Sequence, residues 1–227
     1  MSFGIIDLFS LGQGGITGIG EVPYTAISFP LAMPTNKSPR RIQIRAASVN
    51  VVTQSPFNYF TQVQSSNADM LFAEVELPPM VRDDAEEWLA FLLTLQGQLG
   101  TFLLGDPLGA SPRGVATGTP QVRDAGQSGR KLATKGWTPN TTGILKAGDW
   151  VGLGQRGYKL LRDADSNASG EAILDIFPRI REIPNVNDTI TTENVKTLMR
   201  LAGSTYDVWS ADETRAYAIS FSAVEAL

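Results

Sequence analysis

The chain contains no cysteine and no histidine. Without thiols there is no disulfide framework, no thiolate zinc or iron–sulfur site and no cysteine nucleophile. Without imidazole the usual general base at neutral pH is missing, and Ser-His-Asp, Cys-His and HExxH chemistries are excluded. Long apolar runs are absent too: no window offers ~20 uncharged apolar residues, so no membrane partner is expected. The first thirty residues are broken by Asp7 and by Gly12, Gly14, Gly15, Gly18 and Gly20. They lack the basic start and unbroken apolar core of a secretory signal, which predicts assembly in a cytoplasm. Positive charge is also in short supply, 19 Lys plus Arg against 23 Asp plus Glu. A surface that holds nucleic acid by neutralising phosphates needs the opposite balance.

What is present is a chain of 227 residues, 42% hydrophobic and 19% charged. That is enough for one large or two small cores at ~150 residues per domain. Pro39 to Val52 alternates Ile42 and Ile44 with Arg41, Gln43 and Arg45, the period of a half-buried strand. Phe57 to Val63 and Met70 to Leu77 read the same way, and Pro78 and Pro79 end the latter.

One helix is predicted, over about 83–96. Asp83 stands at the N-cap position with Glu86 three residues on, and the acidic cluster sits where the macrodipole favours it. Ala85, Trp88, Leu89, Leu92 and Leu95 form one apolar stripe, and Gly97 supplies a C-cap. A strand, Gly100 to Leu104, follows at once. From Ser111 to Gly143 the chain is dense in Gly, Pro, Thr and Ser. Short strands are then expected at 144–153, 158–161, 172–177 and 188–192, separated by turn clusters as in a small sandwich or barrel. Thr214 to Val224 places Tyr217, Ile219, Phe221 and Ala223 on one face and reads as a closing strand of the first core.

The expected fold is therefore mainly β. Residues 1–110 and 200–227 form one β-sandwich-like domain with the long helix, and 111–199 form an inserted small β-barrel module, OB-like or sandwich.

Three motifs could carry chemistry, and each has a plainer reading. Gly152, Gly154 and Gly157 match GxGxxG, but a strand rather than a helix follows, so a hairpin turn is expected in place of a nucleotide site. Asp163, Asp165 and Asn167 resemble the start of an EF-hand loop, but Ala168 and Leu174 stand where Gly and Glu are required. Ser128 and Lys131 satisfy SxxK in a Gly-rich stretch with no helical support. No catalytic, cofactor-binding or metal-binding residue is assigned, and the chain is not expected to be an enzyme.

The run from Asp84 through Trp88, Phe91, Gly97, Gly100 and Phe102 to Gly105-Asp106-Pro107 resembles the helix-then-strand segment of bacteriophage distal tail proteins. Gly148-Asp149-Trp150, Tyr158-Lys-Leu-Leu and Ala172 to Pro178 are similar to the barrel module of tail-tip proteins of long-tailed phages. The resemblance implies a homo-oligomeric ring, typically hexameric, in the virion tail and assembled in the host cytoplasm. It would join a tail tube protein to a baseplate hub protein, with DNA only as passing cargo.

A ring of identical subunits needs apolar surface beyond one monomer's core. The candidates are Phe57, Tyr59 and Phe60, with Phe3, Ile5, Ile6, Leu8 and Phe9 of the glycine-rich N-terminal arm. The alternative function is that of a carbohydrate-binding tail adhesin, in which Trp137, beside Gly136 and Pro139, serves as a stacking platform for host-envelope glycans.

Overall fold

The computed structural model describes residues 27–204, 210–211 and 216–227. Among the described residues the protein is mainly β, as the sequence predicts, with one α-helix, two large sheets and a separate two-stranded ribbon. Its elements in chain order are β1 (Arg41–Gln54), β2 (Thr61–Glu76), α1 (Arg82–Thr94), β3 (Phe102–Gly105), β4 (Gly118–Val122), β5 (Lys131–Trp137) and β6 (Trp150–Leu153). After these come β7 (Arg156–Leu160), β8 (Ala172–Phe177), β9 (Ile190–Thr191), β10 (Lys196–Leu201), β11 (Ser210–Ala211), β12 (Tyr217–Ala218) and β13 (Ser220–Glu225).

The first sheet runs β1-β2-β13-β10-β3, and α1 covers one of its faces. Val75 and Ala73 of β2, Phe221 and Ala223 of β13, and Phe102 and Leu104 of β3 point toward the helix. Trp88, Phe91, Leu92 and Leu95 come down on them, and Phe91, Phe102 and Phe221 pack edge to face, with ring centroids 5.6 and 5.9 Å apart. The opposite face carries Arg45 and Glu74 as an ion pair, with Arg40 and Glu76 3.6 Å apart beside it.

Two local expectations change. The helix begins at Arg82, preceded by an extended Val81 that offers no side-chain cap. Asp83 therefore lies inside the first turn, where it and Asp84 favour the helix through the macrodipole. Arg82 pairs with Glu86 at 3.0 Å, an i,i+4 contact that takes the carboxylate a capping box would have used. The strands foreseen at 57–63 and 70–77 are one strand in part: β2 runs from Thr61 to Glu76 without a break, and Phe57 to Phe60 are its turn.

The second sheet runs β4-β5-β8-β7-β6-β9 and is nearly closed. Val122 of β4 donates to the Asp188 carbonyl at 2.9 Å, and Asn187 returns a bond to Val122 at 3.0 Å, which brings the β9 end back to β4. Its core holds Leu132, Trp137, Ile144, Leu145, Tyr158, Leu160, Leu174 and Ile176. β8 has the bounds read from sequence. Within 144–153 only Trp150–Leu153 is strand, while Ile144 and Leu145 fill the core from a loop.

The chain returns to the first sheet at Lys196, somewhat before residue 200. β10 pairs with β3 and with β13. A small apolar seam of Leu71, Trp150 and Val195, flanked by Ile44 and Phe177, joins the two units.

Asp149 organises the loops at one end of the barrel. Its carboxylate is 4% exposed and accepts from the backbone amides of Lys146 at 2.8 Å and of Arg113 and Gly114 at 3.0 Å each. Burial alone would raise its pKa, but those three amides and the Arg113 guanidinium outweigh it and hold the carboxyl below its ordinary value. The stability it contributes is thus complete above the unfolded carboxyl pKa, ~3.9, and is lost as pH falls through the lower folded value. Asp149→Asn should lower the barrel's unfolding free energy by about 2–4 kcal/mol in urea denaturation, because an amide N–H would face amide donors. The variant should also lose less stability than the parent as pH falls below the ordinary carboxylate range, because it has one carboxyl fewer to protonate.

Candidate subunit interface

β1 and β2 form a hairpin far longer than the sheet they belong to. β13 pairs with β2 only over Phe72–Glu76, so from Thr61 to Ala68 the strand has β1 as its partner and nothing on its other edge among the described residues. Among the described residues β1 is the edge of the sheet throughout. At about 3.4 Å per residue the free part of β2 projects ~27 Å from Asp69.

This arm is unusual in composition. No charged residue stands between Arg45 and Asp69, a stretch whose strands are made of Val, Thr, Ser, Asn, Gln and Ala, with Pro56 and three aromatics at the turn. Wherever burial is described between residues 46 and 68, the side chain is exposed, apart from a half-buried Ser55. Val49, Val51, Val52 and Val63 are each more than half exposed. The arm has no single apolar face. Val52 lies opposite Val63 on one side, with Asn50–Ser65 and Gln54–Thr61 beside it, whereas the other side pairs Val51 with Gln64 and Thr53 with Gln62. Packing face to face therefore gains little. Among the described residues, what the arm offers instead is two free ladders of backbone N–H and C=O groups, whose strands lack the Lys, Pro or inward charge that usually blunts a strand edge.

The turn is ordered by its own hydrogen bonds. Ser55 N donates to the Phe60 carbonyl at 2.9 Å and Tyr59 N to the Ser55 carbonyl at 3.0 Å, while the Asn58 side chain accepts from Phe60 N at 3.2 Å. Tyr59 sits at φ +57°, in the left-handed region. These bonds leave the Phe57, Tyr59 and Phe60 rings 95%, 75% and 77% exposed.

The structure thus brings together three of the foreseen interface residues, Phe57, Tyr59 and Phe60, at one tip. Phe3, Ile5, Ile6, Leu8 and Phe9 lie outside the described residues. Trp137 requires a correction. It is 3% exposed in the barrel core, and its Nε1 donates to the Thr134 hydroxyl at 2.7 Å. β5 continues through Gly136, whose φ of +85° turns the strand so that the following indole points inward, and no face is left for a sugar.

The three motifs lie in turns and in the strand ends beside them. Gly152 and Gly157 face each other across the β6–β7 hairpin, with Gly154 at φ +59° in its turn. The Asp163, Asp165 and Asn167 side chains accept from backbone amides of Ala147, Gly143, and Ser169 with Glu171 respectively, so their oxygens are committed to separate loops. Ser128 stands in the connection before β5, and Lys131 opens that strand.

Among the described residues no helix is long and apolar enough to cross a membrane. The arm itself was not read from sequence. The missing charge between residues 45 and 69 was the available signal, because alternation cannot mark a strand whose two faces are both wet. Compared with protein-family models and with curated proteins, the chain matches none.

Proposed function

We propose that this chain is a structural protein of a phage tail tip, and that copies of it close into a ring joining the tail tube to the baseplate hub around the DNA channel. The observation that carries the reading is the uncharged arm with two free edges. An isolated two-stranded hairpin is marginally stable in water at best, so an arm of this length gains most by adding to another sheet. A second copy presents the same two edges. Pairing the β1 edge of one subunit with the β2 edge of the next is a heterologous contact, which closes into a ring when the rotation per subunit permits.

Two further features support it. The resemblance of the helix-then-strand segment and of the barrel strands to tail-tip proteins covers both units of the fold. The net charge of −4 suits a wall past which DNA slides, since a basic lumen would retain the polymer by counterion release. The hexameric order follows the resemblance.

The test is direct. Light scattering and negative-stain electron microscopy of the purified chain should show one closed particle with a central opening. A monomer at the highest soluble concentration, with no particle in the image, would refute the reading.

A further inference from the structure

The two units of the fold meet through more than an apolar seam. Asp69 of β2 and Glu225 of β13 are 4% and 3% exposed, and both are met by arginines from the barrel. Arg130, at the entry to β5, places Nη2 3.0 and 3.1 Å from the two Asp69 oxygens. Arg179, just after β8, brings Nε to 3.5 Å from Oδ2. Arg181 donates Nε and Nη2 to Glu225 at 2.9 and 2.7 Å, and Nη2 also bonds the Asp69 carbonyl. From the sheet side, the Ser48 hydroxyl donates to Asp69 Oδ1 at 2.8 Å.

The position of this cluster is what gives it meaning. Ser48 and Asp69 are the last partners before the β1–β2 register slips, between Ser48 and Asn50. A bulge bends a hairpin and increases its twist, so this is the point at which the arm's direction is set. Buried ion clusters add little net stability over apolar packing, because desolvation offsets the attraction. Their geometry is demanding, and they serve best to fix one arrangement among several.

We propose that the barrel splints the arm: Arg130 and Arg179 grip Asp69 at the arm's root and hold the arm at one angle to the barrel. Asp69 and these arginines are positioning residues. The splint acts within one subunit and holds whether or not the arm meets a neighbouring copy. The grip also resists acid. Burial pushes the Asp69 carboxyl up, but the Ser48 hydroxyl, the Arg130 guanidinium and the Arg179 backbone amide outweigh it and hold its pKa below the ordinary value.

Because the chain has no cysteine, two introduced cysteines can carry spin labels selectively. We would label Ser65→Cys on the arm and Ile173→Cys on the exposed side of β8, dilute the labelled chain into an excess of unlabelled chain, and measure the distance distribution by pulsed electron resonance. The parent should give one narrow distribution. Asp69→Asn should broaden it at least twofold, and Arg130→Gln with Arg179→Gln, which leaves the sheet untouched, should do the same. Asp149→Asn, which weakens the barrel away from the cluster, should leave it narrow. A broad parent distribution, or a narrow one retained in both cluster variants, would overturn the proposal.

Discussion

Lysines placed at Val51 and Val63 should convert the proposed assembly to single subunits and leave the subunit's melting curve almost unmoved. Both side chains are on the free arm, 54% and 63% exposed, and neither touches a core. Substitutions at such positions change folding stability by about ±0.5 kcal/mol. Their effect on association is much larger. Each junction between arms would have to accommodate introduced ammonium groups from two subunits along the paired edges, and lysine on a strand edge is the device by which natural proteins prevent edge pairing. Light scattering of the double variant should give the monomer mass at concentrations where the parent is expected to give the proposed ring. An unchanged particle mass would mean that the subunits join elsewhere, and the arm would lose its role.

The second large effect lies in the first core. Trp88 is completely buried against Phe91 and Phe221, with ring centroids 5.9 and 6.4 Å away. Trp88→Ala removes the largest side chain between helix and sheet, and should cost about 3–5 kcal/mol of unfolding free energy. That is a large part of the ~5–15 kcal/mol total of an ordinary domain. Trp88→Phe should cost less than half as much. Its smaller ring leaves a gap, but the indole Nε1, which is buried and has no hydrogen-bond partner among the described residues, is removed along with it. Urea denaturation followed by far-ultraviolet circular dichroism separates the two variants. Equal losses would mean that the indole N–H carries no penalty.

These two expectations differ in how far the sequence foretold them. The stripe of Ala85, Trp88, Leu89, Leu92 and Leu95 was legible because a helix resting on a sheet has one wet face and one dry one, and all five are buried. The closing strand was legible for the same reason, with Ile219, Phe221 and Ala223 inward. β10 was harder to see. Its inward residues Thr197, Met199 and Leu201 alternate properly, but Leu198 on the other face blurs the pattern. Trp137 was misread because neighbouring Gly and Pro marked a loop. There the glycine serves a strand that must twist, and the strand continues through it. The cluster at the arm's root left no local trace at all. Arg130 and Asp69 are 61 positions apart and Arg181 and Glu225 are 44, and nothing in the spacing of charges announces which of the arginines will be buried beside a carboxylate.

The barrel is inserted between neighbouring antiparallel strands. The chain leaves the first sheet at the end of β3 and re-enters at the start of β10, with Gly105 opposite Lys196. Directly paired residues on antiparallel strands are ~4.5–5.5 Å apart at Cα, so the insertion begins and ends at almost one point. Such a socket takes any graft whose two ends lie side by side, and a short turn could close it altogether. Asp69 and Glu225 set the condition on that exchange. A substitute without cations facing them would leave two carboxylates stranded, so the socket selects its grafts by charge as well as by the spacing of their ends.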